Sequence, residues 1–569
     1  LQLIKEKNLV IKNNSLLVIF ALLISLLILT ACSSIDGDIK EFKVQLATEG
    51  AGQINPTEGE YSYVKNKKLS LSAIAAEGWK FKEWQGSLKS DQPQEDLVVN
   101  SNLSIKAVFV RKKVEVNHYQ FASEDNKLID LGIIAEGEEA VVAITPLDLS
   151  SESTDNYDTA VNIDYASNQK NKLRSDLDKM GSSQQNLSMQ EVMDAKLRRK
   201  EEKNLKLKRT NDLQSLEVPK QSYQVGDSRK FYDGLNNELR ATIRKISDKA
   251  LIYVEEGYSI PATMLDEIAA EYDNNIYGIV TNNFGNTNAS TYDWDENGKL
   301  TILITDMSDY GSNKAAVRNS MLAGYFYSRD YFSAENYETS NETDMVYINY
   351  QFVEKIAAGE KDLNQLLGTV AHEFQHLIYF VEKFKAKRNN DDLWINEGFS
   401  GLAEYLTGYN NLADSYKINS FYFGSPTGES LLFWDEADNS ILGDYGGSML
   451  FVYYLYNRYG SEIITEINSS SQGVIDLLDD KVETGDFSNL FLDWLLANQI
   501  YNKDNIKEKY QYPIDFETTP LFQRVVGSNT SNFTLRSTAV KYFKIIGDGS
   551  EVTLELDLAT DAGVVTYLK

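Results

Sequence analysis

Cysteine, histidine and positive charge are what this chain has little of, and each shortage removes a class of explanation. One cysteine, Cys32, stands in 569 residues, so no disulfide within the chain can brace its fold. Lysine and arginine total 56 against 84 aspartates and glutamates, leaving a net charge of −28. Such a surface repels phosphate backbones and anionic lipid head groups, which argues against a nucleic-acid partner. Only three histidines occur, and two of them fall in one pentapeptide, His372-Glu373-Phe374-Gln375-His376. What is plentiful is ordinary: with 42% hydrophobic and 25% charged residues the chain can fill several cores, and it is too long for one.

Histidines at i and i+4 project from one face of a helix, where two imidazoles can grip a single zinc ion while the intervening glutamate addresses a water molecule. The local pattern predicts that helix. Asp362-Leu363-Asn364-Gln365 reads as a capping box, and Leu363, Leu367, Val370, Phe374, Ile378 and Val381 recur at helical spacing with no proline among them. Burying that stripe is expected to leave His372 and His376 along its edge, facing a cleft. The plainer alternative is a core helix whose histidines are merely hydrogen-bonded.

A third ligand is required. The metzincin solution needs a glycine and then a histidine after the motif, and those places hold Tyr379 and Glu382. The remaining solution is a carboxylate from a following helix, which Asp392-Leu393-Trp394-Ile395-Asn396-Glu397-Gly398 supplies as Glu397. Two histidines and one glutamate leave zinc's fourth position open, as a catalytic centre requires. Glu404, seven residues beyond Glu397 on the same helical face, could orient a ligand histidine, or could be a plain surface carboxylate. A donor for a developing oxyanion is also wanted. Tyr445, before Gly446-Gly447-Ser448, is the candidate, and a packing tyrosine is its alternative in a chain with 34 of them.

HEFQH followed by WINEG resembles the gluzincins. The wider stretch is similar to the hyicolysin family of bacterial metalloendopeptidases over about 290 residues, from Val225-Gly226-Asp227 through DWDENGKLTILITD and Gly324-Tyr325-Phe326 to DYGGSMLFVYYLYNRYG. The resemblance implies zinc ligands at His372, His376 and Glu397 and a general base at Glu373. It also implies an α+β zincin domain over 220–510, with Met345 to Ile348 as the edge strand beside the cleft that pairs with an extended protein or peptide substrate. An inactive surface adhesin of the same fold and an exopeptidase are the competing functions.

Asp293-Trp294-Asp295-Glu296-Asn297-Gly298 has the spacing of a calcium loop, which would use Asp293, Asp295 and Asn297. The bidentate glutamate that should close the loop is replaced by Ile304, so a polar turn before a strand competes with the calcium reading.

At the other end, Lys5, Lys7 and Lys12 precede an apolar run from Leu16 to Leu29, interrupted only by Ser25, and then Leu29-Thr30-Ala31-Cys32. The run is short of the about 20 residues a membrane span needs. It resembles a bacterial lipoprotein signal (1–31), with Cys32 as the lipidated residue at the head of a tether (32–40). The implied location is the cell envelope, lipid-anchored and extracytoplasmic. A small β domain follows at 41–112, where Phe42, Val44 and Leu46 alternate, as do Leu103, Ile105, Ala107 and Phe109, around Gly78-Trp79 and Trp84-Gln85-Gly86. It resembles one divergent internalin B-repeat, and a spacer without ligand is its expected role. A second β module is expected at 113–166, a charged linker or pro-segment with Arg198-Arg199-Lys200 at 167–219, and a β-rich segment at 511–569. Leu1 in place of methionine suggests an alternative start or a clipped beginning, and the text after Tyr510 reads as a truncated last domain.

Overall fold

The computed structural model describes residues 40–76, 79–111, 115–149, 155–166, 222–285, 292–308, 322–388, 392–423, 428–434, 441–483, 485–503, 506–516 and 520–568. The expected signal (1–31), Cys32 and the expected linker or pro-segment (167–219) lie outside these. The chain divides into two compact units, Leu1–Lys113 and Val114–Lys569. No helix among the described residues is long and apolar enough to cross a membrane.

The first unit is all β: β1 (Glu41–Glu49), β2 (Gly52–Asn55), β3 (Gly59–Val64), β4 (Lys67–Ala75), β5 (Trp79–Gly86), β6 (Gln94–Val99) and β7 (Leu103–Arg111). They form a four-stranded sheet in the order β3-β1-β7-β5 and a three-stranded sheet β2-β4-β6. Period-2 alternation puts Val44, Leu46, Leu69, Leu71, Ile105 and Ala107 inside, around a fully buried Trp84 whose indole N–H donates to the Gln92 carbonyl at 3.0 Å. Gly86 lies at φ +91°, and a Cβ there would meet the Ser104 carbonyl oxygen at 2.2 Å, so the strand end tolerates only glycine.

The second unit holds a sandwich and a larger mixed body. Its first strands are β8 (Glu115–Phe121), β9 (Lys127–Ile133), β10 (Glu139–Pro146) and β11 (Asn156–Tyr165). Then come β12 (Ser228–Tyr232), β13 (Glu238–Ile246), β14 (Ala250–Glu255), helices α1 (Ala262–Glu271) and α2 (Tyr277–Phe284), β15 (Leu300–Thr305), β16 (Gly324–Phe326) and β17 (Met345–Asn349). The helical part comprises α3 (Tyr350–Ala357), α4 (Leu363–Lys385), α5 (Leu393–Leu406), α6 (Tyr416–Phe423), α7 (Ile441–Ser469), α8 (Val474–Lys481) and α9 (Phe487–Ile500). Five strands close the chain: β18 (Phe522–Val526), β19 (Asn529–Arg536), β20 (Lys541–Ile546), β21 (Glu551–Leu558) and β22 (Ala562–Leu568).

The body's sheet runs β12-β13-β14-β15-β17-β16, with β14, β15 and β17 parallel and the flanking pairs antiparallel. Continuous apolar runs such as Leu300–Thr305, buried throughout, are what a sheet covered on both faces demands. Helices α1 and α2 form the crossover between parallel β14 and β15, a connection the sequence reading did not anticipate. Met345–Asn349 is not the edge strand it was expected to be. Among the described strands, the three-residue Gly324–Phe326 pairs outside it.

The expected separate β modules at 113–166 and 511–569 are one structure. Strands β8 to β11 and β18 to β22 build two facing sheets, β18-β20-β10-β22-β8 and β19-β11-β21-β9, over a shared core that includes Val142, Val161, Ile163, Phe543, Leu554 and Val564. Architecturally the chain is thus multidomain, with β modules first, helices in the middle and β strands at the end.

Candidate metal centre

Helix α4 begins where Asp362 accepts a hydrogen bond from the Asn364 amide at 2.9 Å, and it ends with Lys383 and Lys385 in the last turn, where cations suit the dipole. It is packed around most of its circumference: from Leu366 to Val381 all but Thr369 are buried. The expected cleft-facing edge is therefore buried too. His372 is 5% exposed, His376 1% and Glu373 0%, because α4 meets α2, α5, α7, β16 and β17 together.

Helix α5 crosses beside it and carries Glu397, 1% exposed. The Nε2 atoms of His372 and His376 each lie 3.4 Å from the same Glu397 oxygen, Oε2. One donor atom from each of the three residues falls within 4.8 Å of the others. The imidazole rings stand edge to face, 4.8 Å apart. Each ring is held from behind: His372 Nδ1 lies 2.6 Å from Glu404 Oε1, and His376 Nδ1 lies 2.9 Å from Asn396 Oδ1. Acceptors at both Nδ1 atoms turn the Nε2 atoms inward, where a bound cation would displace any proton they carry. Glu404 accepts a further bond from Asn410 Nδ2 at 3.1 Å. Ser400 donates to the Glu397 main-chain oxygen at 2.9 Å and reaches its carboxylate at 3.4 Å.

The charges agree with the geometry. Burial works against a charged His372, yet hydrogen bonds to Glu397 and Glu404 hold its pKa well above the usual imidazole range. Burial likewise opposes an ionised Glu397, yet the two histidines hold its pKa well below the usual carboxylate range. Burial also opposes ionised Glu404, and Lys417 with His372 keeps its pKa lowered. Glu373, Glu397 and Glu404 around two imidazoles thus form a niche that favours positive charge. Two nitrogen donors and one carboxylate, each oriented by a second bond, make a donor set that fits zinc.

Close approach of α5 to α7 fixes Glu397. A Cβ on Gly398 would come within 2.6 Å of Val452 and 2.8 Å of the Ser448 carbonyl, and Gly401 abuts Met449 in the same way. Tyr445 lies one turn before Ser448 on α7. Its ring, 2% exposed, packs on Trp434 at 4.9 Å and under the Lys417 ammonium at 4.9 Å. His118, the third histidine, stands on β8 with Nε2 2.9 Å from Asp493 Oδ1, among contacts separate from the three metal-site donors.

The second cation motif is rearranged. Asp293 and Asp295 do converge, but the third carboxylate is Asp344, 4% exposed and absent from the motif. Asn297 is spent within the turn: its Nδ2 donates to Asp295 Oδ2 at 2.8 Å and its Oδ1 accepts from the Lys299 amide at 2.7 Å. Burial, and then the charges of Asp295 and Asp293, push Asp344 well above the usual carboxylate range. Asn396, Ser400, Asp344 and the β16 edge escaped sequence reading. Only Asn396 left a signal, its place directly before Glu397.

No curated protein matches the chain. No peptidase family match supports a zincin, and His372, His376 and Glu397 lie outside the family match that is found. That match, the divergent InlB B-repeat domain over residues 42–113, coincides with the first β unit.

Proposed function

We propose that the cluster of His372, His376 and Glu397 is the centre of a gluzincin-type zinc peptidase that hydrolyses internal bonds of extracellular proteins or peptides. The observation that carries this reading is the convergence of both Nε2 atoms on one Glu397 oxygen at 3.4 Å, with both Nδ1 atoms already engaged. A zinc ion held there supplies Lewis acidity, polarising the scissile carbonyl and making a water molecule easier to deprotonate.

The rest of the work falls to the chain's own groups. Glu373, buried beside His372, accepts the proton as the water oxygen bonds to the carbonyl carbon. It then delivers that proton to the amine nitrogen as the C–N bond breaks. Glu404 and Asn396 keep the imidazoles from turning. Tyr445 is retained as the candidate oxyanion donor.

Casein and an internally quenched peptide, incubated with and without chelator, test the reading. Internal cleavage that falls roughly 10²–10⁴-fold in Glu373→Gln is the expected result for loss of a general base. Absence of turnover with zinc bound points instead to an adhesin, and release of single terminal residues to an exopeptidase. A B-repeat-like domain is consistent with a surface or extracellular setting. Lipid anchoring through Cys32 belongs to the same proposal, and Cys32→Ser should move the protein from the membrane to the soluble fraction.

Calcium at the carboxylate trio is a second, separate reading, favoured by Asp344 joining Asp293 and Asp295. Added calcium should then raise the melting temperature of the native chain and leave that of Asp344→Asn unchanged. An unchanged native melting temperature removes it.

A further inference from the structure

Apart from the β18–β20 pair, the sandwich of the second unit is assembled by alternation between two distant segments. Among the described strands, β8 pairs with β22 alone and β9 with β21 alone, while β10 lies between β20 and β22 and β11 between β19 and β21. No two of β8, β9, β10 and β11 are neighbours. Every ladder that residues 115–165 make therefore runs to residues 522–568, and each segment supplies the missing strands of the other.

The cores follow the ladders. Ile129, Leu131, Val142, Ile144, Val161 and Ile163 interdigitate with Val525, Phe543, Ile545, Leu554 and Val564. The outer face of the five-stranded sheet is fastened in turn to the helical part. Val141, Ala143, Val565 and Tyr567 join the large core there, and the Tyr542 hydroxyl donates to the Leu495 carbonyl at 2.8 Å. Between the two segments the chain passes through 167–221, whose sequence is rich in Lys, Arg, Glu, Asn, Gln and Ser and contains Arg198-Arg199-Lys200.

We propose that this sandwich is a strand-complementation clasp: a chain cut between residues 167 and 221 remains one particle, with 115–165 seated on 522–568. The partner of each segment is the other segment of the same chain, recognised by main-chain ladders with apolar residues between the sheets. A cut there would sever covalent continuity without freeing residues 222–568 from the N-terminal segment. This inference is independent of the zinc reading, since it uses no residue of the metal centre.

A site-specific protease sequence inserted between Gln184 and Gln185 of the full chain allows one clean cut. After complete cleavage on a denaturing gel, the two fragments should elute together in native size exclusion at the uncut volume, down to nanomolar concentration. Amides of β10 and β22 should keep the hydrogen-exchange protection they have in the uncut chain. Separate elution overturns the proposal, and so does co-elution with protection of those two strands lost.

Discussion

Each imidazole of the candidate centre meets a hydrogen-bond acceptor at Nδ1, which leaves Nε2 as the nitrogen that could donate a lone pair to a metal. Removing either acceptor frees the ring to rotate and to change tautomer. Glu404→Ala and Asn396→Ala should each weaken zinc binding roughly 10–100-fold while leaving the melting temperature of the zinc-free protein nearly unchanged. Competition against a chelator of known affinity measures this, and native-like affinity in both variants would show that the rings are oriented by packing alone. At this scale the sequence was most informative where chemistry is local. HExxH and Glu397 are read from spacing along helices, and Glu404 from a further two turns. Asn396 was passed over because an asparagine inside a helix has no spacing rule of its own. Asp344 was passed over because only the folding of β17 beside β15 brings it to Asp295.

Helices α5 and α7 touch through glycines, so the position of Glu397 depends on side chains that are not there. Gly398→Ala inserts a methyl where Val452 and the Ser448 carbonyl already stand, at a cost of about 1–3 kcal/mol. The expected outcome is a chain that keeps its helical circular dichroism, melts earlier and binds zinc more weakly. Unaltered zinc affinity would mean that α5 can shift without moving its carboxylate. A second element-scale junction is Asp493 on α9, whose side chain is fully buried against Lys509 Nζ at 2.6 Å, the Tyr510 hydroxyl at 2.9 Å and His118 of β8 at 2.9 Å. Burial opposes its charge, but the bonds from His118 and Lys509 outweigh that and lower its pKa. A depressed carboxylate contributes stability above its unfolded pKa and loses it as pH falls through the folded value. Urea unfolding should therefore show Asp493→Ala destabilised by roughly 3–5 kcal/mol at neutral pH, with the gap to the native chain closing in acid. A gap independent of pH would assign the loss to packing. Strand order was the least legible feature here. Gly324–Phe326 is too short to show alternation, so the last long strand before the HEFQH helix was taken for the edge.

Across the whole molecule the candidate metal centre is enclosed in sequence by the two halves of the sandwich, and in the second unit the β segments at either end are one domain. The strands themselves were readable from alternating residues such as Val552, Leu554 and Leu556. Their partners were not, because alternation reveals a face to be buried and says nothing of which distant segment covers it. The B-repeat-like unit was legible as a small β domain from its alternation and from the order of its glycines and tryptophans, but its pairings, such as β1 with β7 across 59 residues (Val44 with Leu103), were not. The account's central claim concerns one zinc ion per chain, bound by three residues from two helices. Elemental analysis of the purified chain after dialysis tests it most directly, with Glu397→Ala as the companion sample. One equivalent of zinc in the native chain and none in a folded Glu397→Ala is the predicted result. A folded native chain without zinc, or an equal zinc content in the variant, would contradict it.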